Sequence, residues 1–423
     1  MEKKSSEKSR NPMHIIFMTV FIDMLGYGIL IPVIPLLLAD SASPFYLLPA
    51  GVSVNTGYIL LGFLLAAFPL FQFLSAPILG QLSDKYGRKK ILLISILGTC
   101  ISYLLFAYAI LTKNIPLLFF ARSLDGATGG NIAVAQAAIA DVTTPANRAK
   151  NFGLIGAAFG LGFIIGPYIG GKLSDPTILP WFHAATPFWF AAILSFLNII
   201  FIYFFFKETH EVKESASKIM LNKSVRNILK AYTYKDLRLL FLTSFLFTAG
   251  FTFYTTFFAV YLILKLGFTQ GNIGDFFAYV GVWIVLTQGV FIRLITRIKT
   301  EKLITLGLLG TGISILLYFI PTVWWGLLFI APFFAFFNGV TMANLSGLIS
   351  SSSYQKIQGE IMGINSSVQA FAQIFPPILA GIIASNISPY TPLIIAAFII
   401  IFAGVNFSIF YKPHKITKDN LEL

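Results

Sequence analysis

Long apolar runs separated by short polar segments dominate the chain, and this pattern predicts twelve membrane-spanning helices. Each run holds about 20 or more residues, the length that a helix needs to cross a hydrocarbon core roughly 30 Å thick. The first run follows a basic tail and is too long for the apolar core of a cleaved signal peptide, so we expect it to be retained. The predicted spans are approximately 14–39, 55–79, 91–111, 115–141, 149–173, 186–206, 239–264, 272–297, 302–320, 322–350, 358–385 and 389–411.

The composition favours a membrane protein and argues against an enzyme. Only 11% of the 423 residues are charged and 57% are apolar, whereas soluble domains carry about 25% charged residues. The single cysteine, Cys100, provides no disulfide framework and no cysteine-based metal site. The stretch GPYIGGKL (166–173) lacks the Ser or Thr of a phosphate-binding loop. We therefore expect no cofactor, no metal and no nucleic-acid partner, and a monomer surrounded by lipid.

The basic residues determine the predicted orientation. If both termini are cytoplasmic, 26 of the 30 Lys and Arg residues fall on the cytoplasmic side and three fall outside. Such an asymmetry is what the positive-inside rule requires. We predict a bacterial inner-membrane protein that crosses the membrane twelve times with both ends inside.

One long polar stretch separates six predicted spans from the other six. A shift of 210 residues places Pro167 and Gly171 of the fifth span on Pro377 and Gly381 of the eleventh, which indicates an internal repeat. Two parallel halves with a site between them near the midplane are a recurrent transporter plan. The predicted organisation is a tail over 1–13, a six-helix half over 14–206, a linker over 207–238, a second half over 239–411 and a tail over 412–423.

Three charged residues interrupt the apolar runs at similar predicted depth. Arg122 and Asp125 are three residues apart and share one helical face, and Asp23 lies in the first span. A charge at this depth costs at least about 3 kcal/mol, so it is retained where it pairs or performs a function. One interpretation is a buried ion pair that locks two helices. We favour a proton-coupling site in which both carboxylates share the arginine, and either aspartate can be the main carrier.

The loop GQLSDKYGRKK (80–90) joins the second and third predicted spans. Gly80 and Gly87 permit a tight turn, and Asp84 beside Arg88 can cap a helix end or pair across a closing interface. The segment resembles the GxLxDxxGRxx signature of the major facilitator superfamily. The resemblance implies a fold of two six-helix halves and a cytoplasmic gate in which Arg88 also meets Asp141.

Three further segments resemble the drug–proton antiporter branch of that superfamily, and its tetracycline efflux pumps in particular. They are FIDMLGYGILIPVIPLLL (21–38), RSLDGATGG (122–130) and GAAFGLGFIIGPYIGG (156–171). The resemblance implies export of small organic compounds in exchange for protons by alternating access. It also implies that the third segment packs at the seam that opens and closes during transport.

The glycines of the third segment have a physical interpretation of their own. Glycines four residues apart form a smooth helical face that lets another backbone approach closely, and a proline in the same helix permits a bend. We therefore predict close packing along this helix. The predicted packing residues are Gly162, Gly166, Pro167, Gly170 and Gly171.

The chain also departs from the tetracycline pumps it resembles. Those pumps carry an acid in the third and ninth helices and a histidine in the eighth, whereas the corresponding spans here do not. The departure argues against tetracycline itself, and the abundant aromatic residues, if some of them line the cavity, favour flat, partly apolar compounds. Polar and aromatic residues within the spans are the predicted substrate contacts: Tyr27, Gln136, Phe253, Tyr254, Gln288, Asn338, Gln369 and Gln373.

Two alternatives to export remain open from the sequence. A symporter or facilitator that imports a metabolite or siderophore would use the same fold in the other direction. A membrane sensor without transport would need neither the charged trio nor the gate loop, and both are present. We expect the transporter interpretation to hold.

Overall fold

A computed structural model describes residues 12–143, 148–210, 219–295, 297–352 and 358–412. Within these ranges the regular structure is helical and contains no β-strand. Helices before the linker are α1 Pro12–Leu38, α2 Val54–Tyr86, α3 Arg88–Leu111, α4 Ile115–Thr128, α5 Asn131–Val142, α6 Arg148–Leu173 and α7 Thr186–Phe205. The linker contains α8 Lys223–Thr233.

Eight further helices follow the linker in the described chain. They are α9 Arg238–Leu266, α10 Gln270–Leu286, α11 Ile292–Leu294, α12 Thr300–Leu317, α13 Trp324–Ser351, α14 Gln358–Ala372, α15 Phe375–Asn386 and α16 Thr391–Phe410. A π-helical turn, Thr287–Phe291, joins α10 to α11, so these three elements form one continuous rod. Two prolines, Pro376 and Pro377, lie in the first turn of α15 and separate it from α14, because proline cannot donate the backbone hydrogen bond that would continue the helix.

Ten helical segments of the described chain are long and apolar enough to cross a membrane. They coincide with ten of the predicted spans. The other two predicted spans, 115–141 and 149–173, correspond to α4 with α5 and to α6. The fourth predicted span is therefore broken in two, which the apolar pattern alone did not indicate.

The break between α4 and α5 lies at the glycine pair Gly129 and Gly130. A methyl group added at Gly130 would lie 2.7 Å from the Ala76 Cα of α2. Glycine is needed here because the two backbones are in contact, and paired glycines also weaken a helix. The close crossing places the end of α4 and the start of α5 against α2.

The helices pack as two groups, α1–α7 and α9–α16. In the first group α1 packs mainly on α6, and α3 on α7; in the second, α12 packs on α13 and α16. The two groups meet mainly through α6 with α10 and α2 with α15. We call the end that carries residues 80–90 and the linker the linker end, and the other end the distal end.

The two contacts between the groups are alike in construction. A methyl group at Gly274 of α10 would lie 2.7 Å from the Pro167 carbonyl oxygen of α6. A methyl group at Gly381 of α15 would lie 2.5 Å from the Tyr58 carbonyl oxygen of α2. In each case a helix of one group meets the backbone of the other group through glycine. The positions paired by the 210-residue shift therefore occupy equivalent seams.

Candidate functional site

A buried ion pair lies at the centre of the first helix group. Arg122 Nη1 donates to Asp125 Oδ2 at 2.9 Å, and the two side chains are 2% and 7% exposed. The guanidinium also lies over two aromatic rings, 4.4 Å from the centroid of Phe68 and 5.6 Å from that of Tyr27. Cation–π contacts of this kind stabilise a cation that is removed from water. α4 presents both charged residues on one face, as the three-residue spacing predicts.

Asp23 lies beside this pair but has a different partner. Asn131 Nδ2 donates to Asp23 Oδ2 at 2.5 Å. Within the described chain Arg122 forms an ion pair with Asp125 alone, so the expectation that both carboxylates share the arginine is wrong for this conformation. The reason is the helix break, because Asn131 begins α5 directly after Gly130 and reaches α1 there.

The structure adds two residues to the predicted cluster. Asn131 is one, and Tyr103 of α3 is the other. Tyr103 is buried and lies within electrostatic range of Asp23, Asp125 and Arg122. Its hydroxyl group packs against Gly26 of α1, where a side chain would collide with it. No sequence pattern distinguishes a tyrosine beside a charged cluster from any other tyrosine in an apolar span, so this position could not be predicted.

A narrow cavity lies between the two helix groups next to the cluster. Tyr27 and Arg122 line it from the first group, and hydroxyl and amide groups of α9 and the α14–α15 connection line it from the second. Its volume of about 50 Å³ accommodates a few water molecules but not an organic compound. In this conformation the cavity is therefore too small for such a compound. The polar lining residues of the second group are Thr252, Thr255, Thr256 and Gln373.

The predicted substrate contacts are distributed unevenly around this cavity. Tyr27 and Gln373 line it. Gln373 Nε2 donates to the Gln369 carbonyl oxygen at 3.3 Å, which places Gln369 one turn away on α14. Gln136 is half-buried on α5. The three threonines of α9 were not predicted, because a hydroxyl group inside an apolar, aromatic-rich span satisfies itself on its own helix and carries no sequence signal for a cavity.

Other predicted contacts lie elsewhere. Phe253 and Tyr254 are buried in the second group, where the Tyr254 ring lies 4.5 Å from that of Phe258. Gln288 is exposed within the π-helical turn. Asn338 is buried in α13, with its amide 3.8 Å from the Met342 sulfur. None of these four residues lines the cavity in this conformation.

The predicted gate residues come together at the linker end. Arg88 Nη1 donates to Asp84 Oδ1 at 2.6 Å, and Arg88 Nε donates to Asp141 Oδ2 at 2.9 Å. Gly87 adopts φ 93°, a conformation that favours glycine, and it separates α2 from α3. The Gly80 carbonyl oxygen accepts from Ser83. These contacts tie α2, α3 and α5 together within the first group.

Glu208 extends the gate in a way that the sequence did not suggest. Its carboxylate accepts from the backbone N–H groups of Arg88 and Lys89 at 2.9 and 3.0 Å. Those groups are unpaired donors at the start of α3, and a carboxylate there also interacts favourably with the helix dipole. Glu208, three residues beyond the end of α7, thus caps the helix on which Arg88 lies.

We expect Glu208→Gln to lower the free energy of unfolding by about 1 kcal/mol, because the amide keeps one acceptor but loses the charge. Denaturation of the purified protein in mixed micelles measures the change. Asp236→Asn, at an exposed loop position, is the matched control and should be neutral. Equal effects of the two substitutions would show that Glu208 is not a cap.

The glycines of α6 face two different neighbours. Methyl groups at Gly162 and Gly170 would each lie 2.5 Å from atoms of α1, and one at Gly166 would lie 2.6 Å from the Leu25 carbonyl oxygen. Gly171 instead meets α10 of the second group. The close packing is therefore present, but three of the glycines pack within the first group. Gly171 and the Pro167 carbonyl oxygen are the α6 groups that contact α10 of the second group.

A bundle of apolar helices in two groups, with a buried charged cluster and a cavity between the groups, defines an integral membrane transporter. Comparison with known families is consistent with this class. The family model described as Major Facilitator Superfamily matches residues 16–299 and 240–422. The chain belongs to this superfamily.

Two individual proteins and one solved structure show what the chain is similar to within the superfamily. The chain is 32% identical over 375 residues to the tetracycline resistance protein, class H, of Pasteurella multocida, with 88% of each chain covered. It is 28% identical over 424 residues to multidrug resistance protein 2 of Bacillus subtilis (strain 168), with 98% of each covered. The crystal structure of the human organic anion transporter MFSD10 (TETRAN) has the same fold, with a TM-score of 0.70, 22% identity and coverage of 94% and 99%.

Proposed function

We propose that this protein exports small, partly apolar organic compounds in exchange for protons. The observation that carries the proposal is the buried Arg122–Asp125 pair with the half-buried Asp23 beside it, because Arg122 also lines the cavity between the two groups. Ionisable groups inside a membrane are costly and characteristically mark proton or substrate pathways. Similarity to tetracycline and multidrug resistance proteins supports export.

The proposed topology is twelve spans with both termini in the cytoplasm of a bacterial inner membrane. The helix groups then correspond to the halves 14–206 and 239–411, and the linker end faces the cytoplasm. The basic residues concentrated at that end support this orientation. At the distal end, glycine seams bring the two groups together. We propose that the groups rock about the cavity, as a monomer, to expose it to either side in turn.

Asp23 is the carboxylate that we propose as the main proton carrier. Asp125 is already neutralised by Arg122, whereas among the described residues Asp23 is held by the neutral amide of Asn131. Asp23 is half-buried among apolar helices, where a charge without a cationic partner is unfavourable, and protonation removes that charge. Protonation also changes what Asn131 binds, so the two forms of Asp23 can favour different arrangements of the helices. Substrate bound in the cavity would favour one of them.

We expect Asp23→Asn to abolish transport driven by a pH gradient while leaving substrate exchange between the two sides intact. Asparagine can keep the hydrogen bond to Asn131 but cannot release a proton. Reconstituted vesicles with an acidic interior measure both activities. Asp40→Asn, in the loop after α1, where the side chain accepts from the Ala42 backbone, is the control and should transport normally.

The same vesicles distinguish export from the two alternatives. Proton release from the lumen on addition of substrate supports exchange, whereas movement of substrate and proton in the same direction supports a symporter. Binding without any flux supports a sensor. A growth screen of an overexpressing strain against toxic compounds, tetracycline included, and under iron limitation identifies the substrate. Full pH-driven transport by Asp23→Asn would refute the proposed role of Asp23.

A further inference from the structure

The linker helix α8 has three distinct faces. One face, with Ser224 and Ala231 buried, lies against the helix bundle. A second face is apolar and exposed. It consists of Val225, Leu229 and Tyr232, which are 49%, 65% and 70% exposed, and Leu221, two residues before the helix, is 71% exposed. A third face is basic and carries Lys223, Arg226 and Lys230. A soluble helix would not leave its apolar face uncovered while burying a different one.

The depth of α8 indicates what covers the apolar face. Ser224 Oγ donates to the Phe73 carbonyl oxygen of α2. Phe73 follows Val54, the first residue of α2, by a helical distance of about 29 Å. That distance is close to the roughly 30 Å thickness of a hydrocarbon core. If α2 crosses the membrane from its first turn, α8 lies at the boundary between hydrocarbon and headgroups, where lipid is the neighbour.

The charges of α8 match a lipid surface as well. Arg226 is exposed, and Arg238, just after the helix, lies 5.1 Å from the centroid of the Tyr232 ring. Basic residues on one face with apolar and aromatic residues on the next are the pattern of helices that lie in a membrane interface. Basic residues near an anionic membrane surface strengthen binding to that surface.

The helix is also fastened to both helix groups. The backbone of Met220 exchanges two hydrogen bonds with the Gln81 side chain of α2, at 2.8 and 3.1 Å. On α14, Ser367 accepts from Asn227 at 3.0 Å, and Glu360 pairs with Lys230 at 2.5 Å. These contacts hold the apolar face in a fixed direction, away from both groups.

We infer that α8 is a membrane-surface helix whose apolar face inserts among acyl chains and whose basic face binds anionic lipid headgroups. The occupant of this surface is the bilayer, and the headgroup chemistry is an anionic phosphate. Because α8 bridges both groups, bound anionic lipid stabilises the arrangement in which these bridging contacts exist. The inference does not depend on the direction of transport or on the proton site.

Fluorescent labels on the full-length protein test this inference. Cys100, which is buried, is replaced by alanine, and a single cysteine is introduced by Leu229→Cys or, as the matched control, Arg226→Cys. Both positions are exposed and one turn of helix apart, so neither change disturbs the fold. In vesicles containing phosphatidylglycerol, lipid-borne quenchers should reach the label at position 229, and aqueous iodide should reach the label at 226.

Lipid charge is tested in the same experiment. Replacing phosphatidylglycerol with phosphatidylcholine should reduce lipid-borne quenching at position 229, and so should high salt. The double substitution Lys223→Gln/Arg226→Gln should remove the difference between the two lipids. Equal access of iodide to both labels would overturn the inference, because the apolar face would then be in water. Protection of position 229 from both quenchers would also overturn it, and would indicate a protein partner.

Discussion

Replacing Arg122 with glutamine should abolish transport and lower the free energy of unfolding by about 3–5 kcal/mol, the cost of leaving a buried charge without its partner. Asp125 would lose the only ion pair that the described structure gives it, and Asp23 would remain nearby. The cation–π contacts with Phe68 and Tyr27 would be lost as well. Denaturation in mixed micelles and vesicle transport measure the two effects.

The double substitution Arg122→Gln/Asp125→Asn separates stability from coupling. It removes both charges of the pair, so it should recover at least half of the lost stability. It should not recover proton-driven transport, because Arg122 would still be absent from the cavity. Lys113→Gln, at an exposed loop position, removes the same charge elsewhere and should change neither property. Wild-type behaviour of Arg122→Gln would refute the assigned role of the cluster.

The second large effect is expected at Gly166 of α6. In Gly166→Ala the new methyl group would lie 2.6 Å from the Leu25 carbonyl oxygen and 2.8 Å from the Gly28 Cα. Both atoms belong to the backbone of α1, so α1 must move as a unit, at a cost of about 1–3 kcal/mol. Asp23 and Tyr27 lie on the same segment of α1 and would move with it. We therefore expect slower transport as well as lower stability.

Gly160→Ala provides a control within the same helix. Among the described residues, no atom outside the backbone of α6 itself lies within 4 Å of a methyl group added at Gly160, and alanine favours the helix by up to about 1 kcal/mol over glycine. Gly160→Ala should therefore be neutral or stabilising. Expression, unfolding and vesicle transport of the two variants are compared side by side. If the two variants give the same result in all three measurements, the close contact between α6 and α1 is not required for stability or for transport.

The sequence predicted the helical membrane architecture and the superfamily because both depend on local patterns. Apolar runs of membrane-spanning length determine the helices, and the loop motif determines the spacing of Asp84 and Arg88. The ion pair of Arg122 with Asp125 also follows from residues three apart on one helix. In each of these cases the partners are close in the chain, or are implied by a family signature.

The remaining features depend on tertiary geometry that no local pattern contains. Asn131 reaches Asp23 because the fourth predicted span breaks at a glycine pair, whereas a continuous helix would direct it elsewhere. Glu208 caps α3 although it lies 120 residues from Arg88 in the chain. Thr252, Thr255 and Thr256 line the cavity, while the neighbouring Tyr254 packs into the core of the second group. Which face of α9 meets the cavity depends on the other helices.

The short helix α5 connects Asp23, the proposed proton carrier, with Arg88 of the predicted gate. Asn131 at its first residue binds Asp23, and Asp141 near its last residue binds Arg88. The two residues are separated by about 15 Å of rigid helical rod, and the glycine break frees the rod from α4. In the proposed mechanism, protonation of Asp23 would weaken the hydrogen bond at the first residue of α5, and a tilt of α5 would then strain the salt bridge near its last residue. The glycine break would let α5 tilt while α4 stays in place.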